Sequence, residues 1–187
     1  MSCYEKLRVL DLFSGIGGFS LGLEATGEFE TVAFCECEEY ADRVLEKRWP
    51  GVPSYDDVKT ITKERLEADG IRQIDVICGG FPCQDISLAG KGAGLAGERS
   101  GLWSEYARII GEVGPEWVII ENVSALRSRG LVTVLQDICA LGYDAEWHCI
   151  PASYVGAPHR RDRIWIIAHP HRNGEPTLAV YGDKGRG

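Results

Sequence analysis

Leu7-Arg8-Val9-Leu10-Asp11-Leu12-Phe13-Ser14-Gly15-Ile16-Gly17-Gly18-Phe19 stands near the start of this 187-residue chain. Its apolar first half predicts a short strand, and Ser20 to Ala25 predicts a helix. The glycines between them form a turn that lets the backbone approach a ligand closely. Strand, glycine turn and helix make the opening half of a nucleotide-binding βαβ unit. Gly15-Ile16-Gly17-Gly18 lacks the third glycine of the full fingerprint, because Ser20 stands where it would fall. A glycine turn that holds no ligand is therefore the alternative reading.

The next apolar run, Thr31 to Cys35, predicts a second strand, and Glu36 follows at once. An acidic residue about 20 positions beyond the glycine turn, at the end of the second strand, suits two ribose hydroxyls. Glu38 and Glu39 lie beside it, but position favours Glu36. Glu38 to Trp49 reads as an amphipathic helix with Ala41, Val44, Leu45 and Trp49 on one face, ended by Pro50-Gly51. Tyr55-Asp56-Asp57-Val58 closes a weak third strand. Asp57 could accept a hydrogen bond from an exocyclic amine such as that of adenine, or cap a following helix, Lys63 to Asp69.

Ile74 to Cys78 predicts a buried strand leading into Gly79-Gly80-Phe81-Pro82-Cys83-Gln84-Asp85-Ile86-Ser87. Two glycines and a proline make a defined loop just past a strand end, where open α/β sheets bind ligands. Cys83 is thus a candidate nucleophile, since a thiolate is strongly nucleophilic once ionised. The glycine-rich segment that follows, through Gly101, reads as a mobile lid. Leu102 to Val113 predicts a helix with Trp103, Tyr106, Ile110 and Val113 in its core stripe. Trp117 to Ile120 predicts a strand ending in Glu121-Asn122-Val123. A carboxylate after four apolar residues is costly unless paired or chemically employed, and burial could leave Glu121 protonated near neutral pH. Leu131 to Leu141 is helical and Tyr143 to Ile150 strand-like. In Pro158-His159-Arg160-Arg161-Asp162-Arg163-Ile164-Trp165, an extended backbone would put Arg161, Arg163 and Trp165 on one face, suited to a phosphate or a polarised carbonyl.

Alternating strands and helices predict an α/β fold: a doubly wound, mostly parallel sheet with helices on both faces. The length suits one domain, 1–171, with a polar, glycine-rich tail over 172–187. Seven cysteines without a CxxC pair read as reduced thiols in a cytoplasmic protein, neither a disulfide framework nor a zinc site. His169-Pro170-His171 shows no metal geometry. No run reaches membrane-span length, and the start lacks a signal-peptide pattern. A formal net charge of -8 argues against a generic nucleic-acid coat but allows a local basic groove.

Taken in order, the glycine turn, Glu36, Asp57, Gly80-Phe81-Pro82-Cys83-Gln84, Glu121-Asn122-Val123 and Arg161-Asp162-Arg163 resemble the cytosine-5 DNA methyltransferase family over about residues 7–169. The resemblance implies a Rossmann-like fold, bacterial or phage origin, restriction–modification or a related role, and duplex DNA with a flipped cytosine as substrate. It implies S-adenosylmethionine, leaving as S-adenosylhomocysteine, held by Phe13, Gly15, Gly17, Gly18, Glu36, Asp57, Val58, Pro82 and Leu102, with no metal. It implies that Cys83 attacks C6 of cytosine, that Glu121 serves N3, and that Arg163 with Arg161 binds the O2 side and positions the carboxylate. Three departures stand out. His159 replaces the family's glutamine, and Cys37 stands where an aromatic residue often follows the ribose-binding acid. The target-recognition domain and last asparagine-containing segment are not in the chain, which implies a fragment inactive alone or a second chain supplying recognition. A nicotinamide-dependent thiol oxidoreductase is disfavoured by Ser20 in place of the third glycine and by the Glu-Asn-Val and Arg-x-Arg segments.

Overall fold

The computed structural model describes residues 5–82 and 101–171, and its contacts group them into two compact units. Cys83, nearly all of the glycine-rich segment after it, and the tail from 172 lie outside the described residues.

The first unit comprises Met1–Gly80 with Arg108–Glu116. It holds β1 (Leu7–Leu12), α1 (Gly18–Glu24), β2 (Phe29–Cys35), α2 (Glu39–Arg48), β3 (Ser54–Tyr55), α3 (Lys63–Ala68) and β4 (Val76–Gly79). These strands are parallel and run in the order β3-β2-β1-β4. β1 therefore lies between β2 and β4, and the order reverses beside it, which is where doubly wound folds bind ligands. Val9 to Leu12 and Val76 to Gly79 are all buried, as strands inside a parallel sheet should be. Gly79 pairs with Leu12 at φ +154°, and a Cβ there would overlap the Leu12 carbonyl, 2.9 Å from its carbon and closer still to its oxygen. Only glycine fits this crossing.

Helix ends follow the sequence chemistry. The Glu38 side chain caps α2 by accepting from Ala41 N–H, with Glu39 and Asp42 in the first turn and Lys47 and Arg48 in the last. Ala41 and Leu45 are buried, and Trp49, just past the helix, packs 5.1 Å from the Phe34 ring. Thr62 caps α3. β3 is shorter than expected. It stops at Tyr55, and Val58–Thr60 form a 3-10 turn instead of strand.

The second unit comprises Phe81–Ala107 and Trp117–Gly187. Its helix α4 (Leu102–Val113) continues into the first unit's sequence, and it is followed by β5 (Trp117–Val123), α5 (Leu126–Arg129), α6 (Leu131–Ala140), β6 (Tyr143–Pro151) and β7 (Asp162–Pro170). β5, β7 and β6 lie side by side and antiparallel. These three strands are thus the antiparallel part of a sheet expected to be mostly parallel. The ten residues between β6 and β7 are too few for the crossover that parallel neighbours need. Phe81, Trp103 and Tyr106 form an aromatic cluster with ring centroids 5.0 to 6.4 Å apart. The Trp103 indole N–H donates to buried Asp137 at 2.9 Å.

Candidate active site

The glycine turn is built between the ends of β1 and β2. Phe13 and two glycines adopt left-handed backbone, with φ of +54° at Phe13, +53° at Gly15 and +82° at Gly17. Such a conformation in a bulky residue costs energy and marks a site that the surrounding structure over-determines. The glycines divide by role. A Cβ on Gly17 would lie 2.5 Å from the Trp49 ring, whereas one on Gly15 or Gly18 would meet nothing within 4 Å. Gly17 serves the packing of Trp49, and the space over Gly15 and Gly18 is open.

Glu36, at the end of β2, is half-buried and turns back on the glycine turn. Its carboxylate accepts from Gly15 N–H at 2.7 Å and Glu38 N–H at 2.8 Å. Asp57 is exposed and accepts from Lys59 N–H at 2.9 Å, so it caps the 3-10 turn. It does not cap α3, because Thr62 already does. Val58 is buried, and its carbonyl accepts from Arg108 at 3.3 Å. The open turn, the Glu36 carboxylate beside it and Asp57 past the neighbouring strand could hold a nucleoside, the turn giving room for close backbone approach and the two carboxylates accepting from hydroxyl or amine groups.

Sequence reasoning passed over two polar groups beneath this turn. Ser14 is buried, and its hydroxyl donates to the Asp11 carbonyl at 2.6 Å and accepts from Cys35 N–H at 3.3 Å. Asp11, fully buried, accepts from the Ser20 hydroxyl at 2.7 Å, tying β1 to α1. Burial raises its pKa from 3.8 to about 7, against hydrogen bonds from Ser20 and the Cys78 thiol. Ser20, conspicuous in the sequence only as the missing third glycine, is the partner that makes this carboxyl tolerable.

In the second unit, alternation along β5 puts Val118, Ile120 and Asn122 on the buried side and Glu121 on the half-exposed one. Glu121 therefore avoids the full cost of burial. It meets Arg163 of β7, whose Nε lies 2.7 Å from Glu121 Oε1. Arg163 pairs in register with Val123, making it the diagonal same-face neighbour of Glu121. Asn122, in a core position, must be satisfied, and it is: its amide donates to the Phe81 carbonyl at 2.8 Å and its oxygen accepts from Val123 N–H at 2.9 Å. That bond anchors the residue before Pro82. Pro82 is exposed, and Leu102 is half-buried at the start of α4.

Arg161 departs from expectation. It precedes β7, is exposed and has φ +36°, so it does not share an extended face with Arg163 and Trp165. The left-handed residue turns the chain just before the strand begins. Among the buried thiols, burial and then the carboxylates of Glu36 and Asp57 push Cys35 up to about 12. Burial, then Asp11, likewise raises Cys78. Neither is a nucleophile at neutral pH. Among the described residues no group of side chains could hold a metal ion, and no helix is long and apolar enough to cross a membrane.

The family model for C-5 cytosine-specific DNA methylase matches residues 7–180. The chain belongs to that family. Among curated proteins it is 35% identical over 170 residues to the Type II methyltransferase M2.BsuMI of Bacillus subtilis, covering 87% of this chain and 42% of that protein. It is also 35% identical over 176 residues to M.CviJI of Paramecium bursaria Chlorella virus IL3A, covering 94% and 46%. This methylase-family chain thus spans less than half the length of these relatives. Solved structures of Spodoptera frugiperda DNMT2 and S. pombe Dnmt2 superpose with TM-scores of 0.75 and 0.73 over 97% and 96% of the chain, at 18% and 20% identity and over 56% and 52% of their own chains. They share its Rossmann-like α/β fold.

Proposed function

We propose that this chain is the catalytic-domain portion of a DNA cytosine-5 methyltransferase that acts on a flipped cytosine in duplex DNA. The Glu121–Arg163 pair carries the reading, because it holds a carboxyl group and a guanidinium on neighbouring strand ends, as the chemistry of a pyrimidine ring requires. The left-handed turn with open space above Gly15 and Gly18 fits S-adenosylmethionine. Phe13, Gly15, Gly18, Glu36, Asp57, Pro82 and Leu102 would hold it, with Glu36 on the ribose hydroxyls and Asp57 on the adenine amine. Gly17 and Val58 support that site through packing. Bound there, the cofactor supplies an electrophilic methyl group on a sulfonium.

C5 of an aromatic cytosine is a poor nucleophile. Addition of the Cys83 thiolate to C6 forms a C–S bond and pushes the C5=C6 electron pair toward C5, which can then take the methyl. Glu121 hydrogen-bonds or protonates N3, neutralising the charge that develops in the ring. Arg163 orients Glu121 and faces the O2 side, with Arg161 at the strand entrance available to a phosphate. Loss of the C5 proton to a base then expels the thiolate and restores the ring. The target atoms are unreachable inside a duplex, so the base must leave the stack. By the same reading the chain works in the cytoplasm of a bacterium or of a phage-infected cell.

On a second reading, favoured by a span of 42–46% of the relatives M2.BsuMI and M.CviJI, methyl transfer by this chain would need a further part for target recognition. Transfer of labelled methyl from S-adenosylmethionine to unmethylated duplex DNA tests both. Transfer that disappears in Cys83→Ala supports the self-sufficient enzyme. No transfer from a folded wild-type chain, with cofactor binding intact, supports the second reading.

A further inference from the structure

We infer that Ser14 and Glu36 are positioning residues that stitch the glycine turn to the ends of β2 and β3 before any cofactor arrives. Nothing in the ribose-binding role of Glu36 requires this. The inference deepens the cofactor reading and rests on it for its consequence, though not for its geometry.

Three strand ends are joined by hydrogen bonds in sequence. Ser14 N–H donates to the Cys35 carbonyl at 3.1 Å, and Cys35 N–H returns to the Ser14 hydroxyl at 3.3 Å. One residue on, Gly15 N–H donates to the Glu36 carboxylate at 2.7 Å, while Glu36 N–H donates to the Tyr55 carbonyl at 2.9 Å. The second carboxylate oxygen takes Glu38 N–H at 2.8 Å, which fixes the side-chain rotamer. Left-handed backbone at Phe13 and Gly15 does not hold itself. A charge-assisted bond at its centre and a buried hydroxyl behind it supply the restraint. Each carboxylate oxygen has a further lone pair, so ribose hydroxyls can be accepted without releasing Gly15.

The consequence is that loss of Glu36 should weaken the cofactor in two separable ways. Glu36→Gln leaves one oxygen to accept where two N–H groups point, and it also impairs ribose binding. Ser14→Ala removes a buried hydroxyl already engaged with the Asp11 carbonyl and Cys35 N–H. The test measures Gly15 amide exchange by NMR in the ligand-free chain. It also measures binding of S-adenosylhomocysteine and of its 2′,3′-dideoxyribose analogue by calorimetry. In Glu36→Gln the Gly15 amide should exchange about tenfold faster, and the analogue should still bind about fivefold more weakly than to wild type. Ser14→Ala should weaken both nucleosides by the same factor, about threefold to tenfold. Unchanged Gly15 exchange in Glu36→Gln, or wild-type affinity of that variant for the analogue, overturns the inference. If wild type binds neither nucleoside, the cofactor reading falls and the exchange measurement alone decides the stitch. If Ser14→Ala does not fold, Glu36→Gln carries both measurements.

Discussion

Arg163 approaches Glu121 diagonally across the β5–β7 pair, Nε to Oε1 at 2.7 Å, with both side chains less than one-third exposed. In the proposed reaction the two residues have unequal roles: Glu121 would carry the group that exchanges a proton with a ring nitrogen, and Arg163 would fix where that group points. Glu121→Gln keeps shape and hydrogen bonding but loses the transferable proton, and should lower methyl transfer by at least about 100-fold with little change in stability. Arg163→Lys keeps charge but loses the planar fork, and should cost an intermediate factor of about tenfold or more. Single-turnover transfer with the two variants checks this. Equal losses, or a larger loss in Arg163→Lys, would contradict the assignment of roles.

Three glycines, one ending β4 and two in the turn, predict three different outcomes. Gly79→Ala forces a Cβ into the Leu12 backbone, which cannot yield, and should prevent the sheet from forming or cost several kcal/mol, of order 4. Gly17→Ala meets the Trp49 ring at 2.5 Å and adds strain at φ +82°, and should cost about 2–4 kcal/mol. Gly15→Ala enters open space and pays only for φ +53°, about 1 kcal/mol. Its damage should fall on cofactor affinity instead. Urea unfolding of the set ranks them, and a Gly15→Ala as unstable as Gly17→Ala would show that the space over the turn is not open.

Much of this arrangement was legible in the chain because it depends on period and punctuation. The strand–glycine–helix start, the acid after the second strand and the two motif-bearing strand ends all fell where apolar runs and glycines placed them. What was not legible depends on partners distant in sequence. Ser14 and Ser20 are small polar residues in a turn region, and only their contacts with Cys35 and Asp11 give them roles. Asp57 reads in the sequence as an acceptor for an exocyclic amine or as the cap of the helix from Lys63, and the 3-10 turn that follows the short β3 gives it a nearer element to cap. Arg161 sits one residue outside a strand whose start the alternating pattern does not mark. The same pattern reads alike in parallel and antiparallel strands, so the reversal at β6 and β7 came from loop length instead.

Asn122 should prove more sensitive to charge than to size. Its amide donates to the Phe81 carbonyl from a buried position. Asn122→Ala leaves that carbonyl without this donor and should cost about 1–3 kcal/mol. Asn122→Asp instead turns an oxygen toward an oxygen and brings a charge into the core, so at pH 8 it should be the less stable of the two. Lowering the pH to 5 should narrow the gap as the carboxyl protonates. Chemical denaturation at both pH values checks the order, and an aspartate variant more stable than alanine at pH 8 would argue that the Phe81 bond contributes little.

Asp11 makes stability depend on pH in a direction opposite to most carboxylates. Its folded-state pKa is raised, from 3.8 to about 7, chiefly by burial. The folded chain therefore binds this proton more tightly than the unfolded chain. The stabilising contribution is fully present below about pH 4 and is lost as pH rises through 7. The full shift corresponds to as much as roughly 4 kcal/mol. In Asp11→Asn the amide oxygen can still accept from Ser20, and there is no charge to bury. The variant's advantage over wild type should accordingly grow between pH 4 and pH 7 and level off above it. Comparing the two unfolding free energies across that range cancels contributions from the other titrating groups. A difference independent of pH would mean that Ser20 and the Cys78 thiol hold the carboxylate ionised, and that the polar cluster under the glycine turn is an anion site from the start.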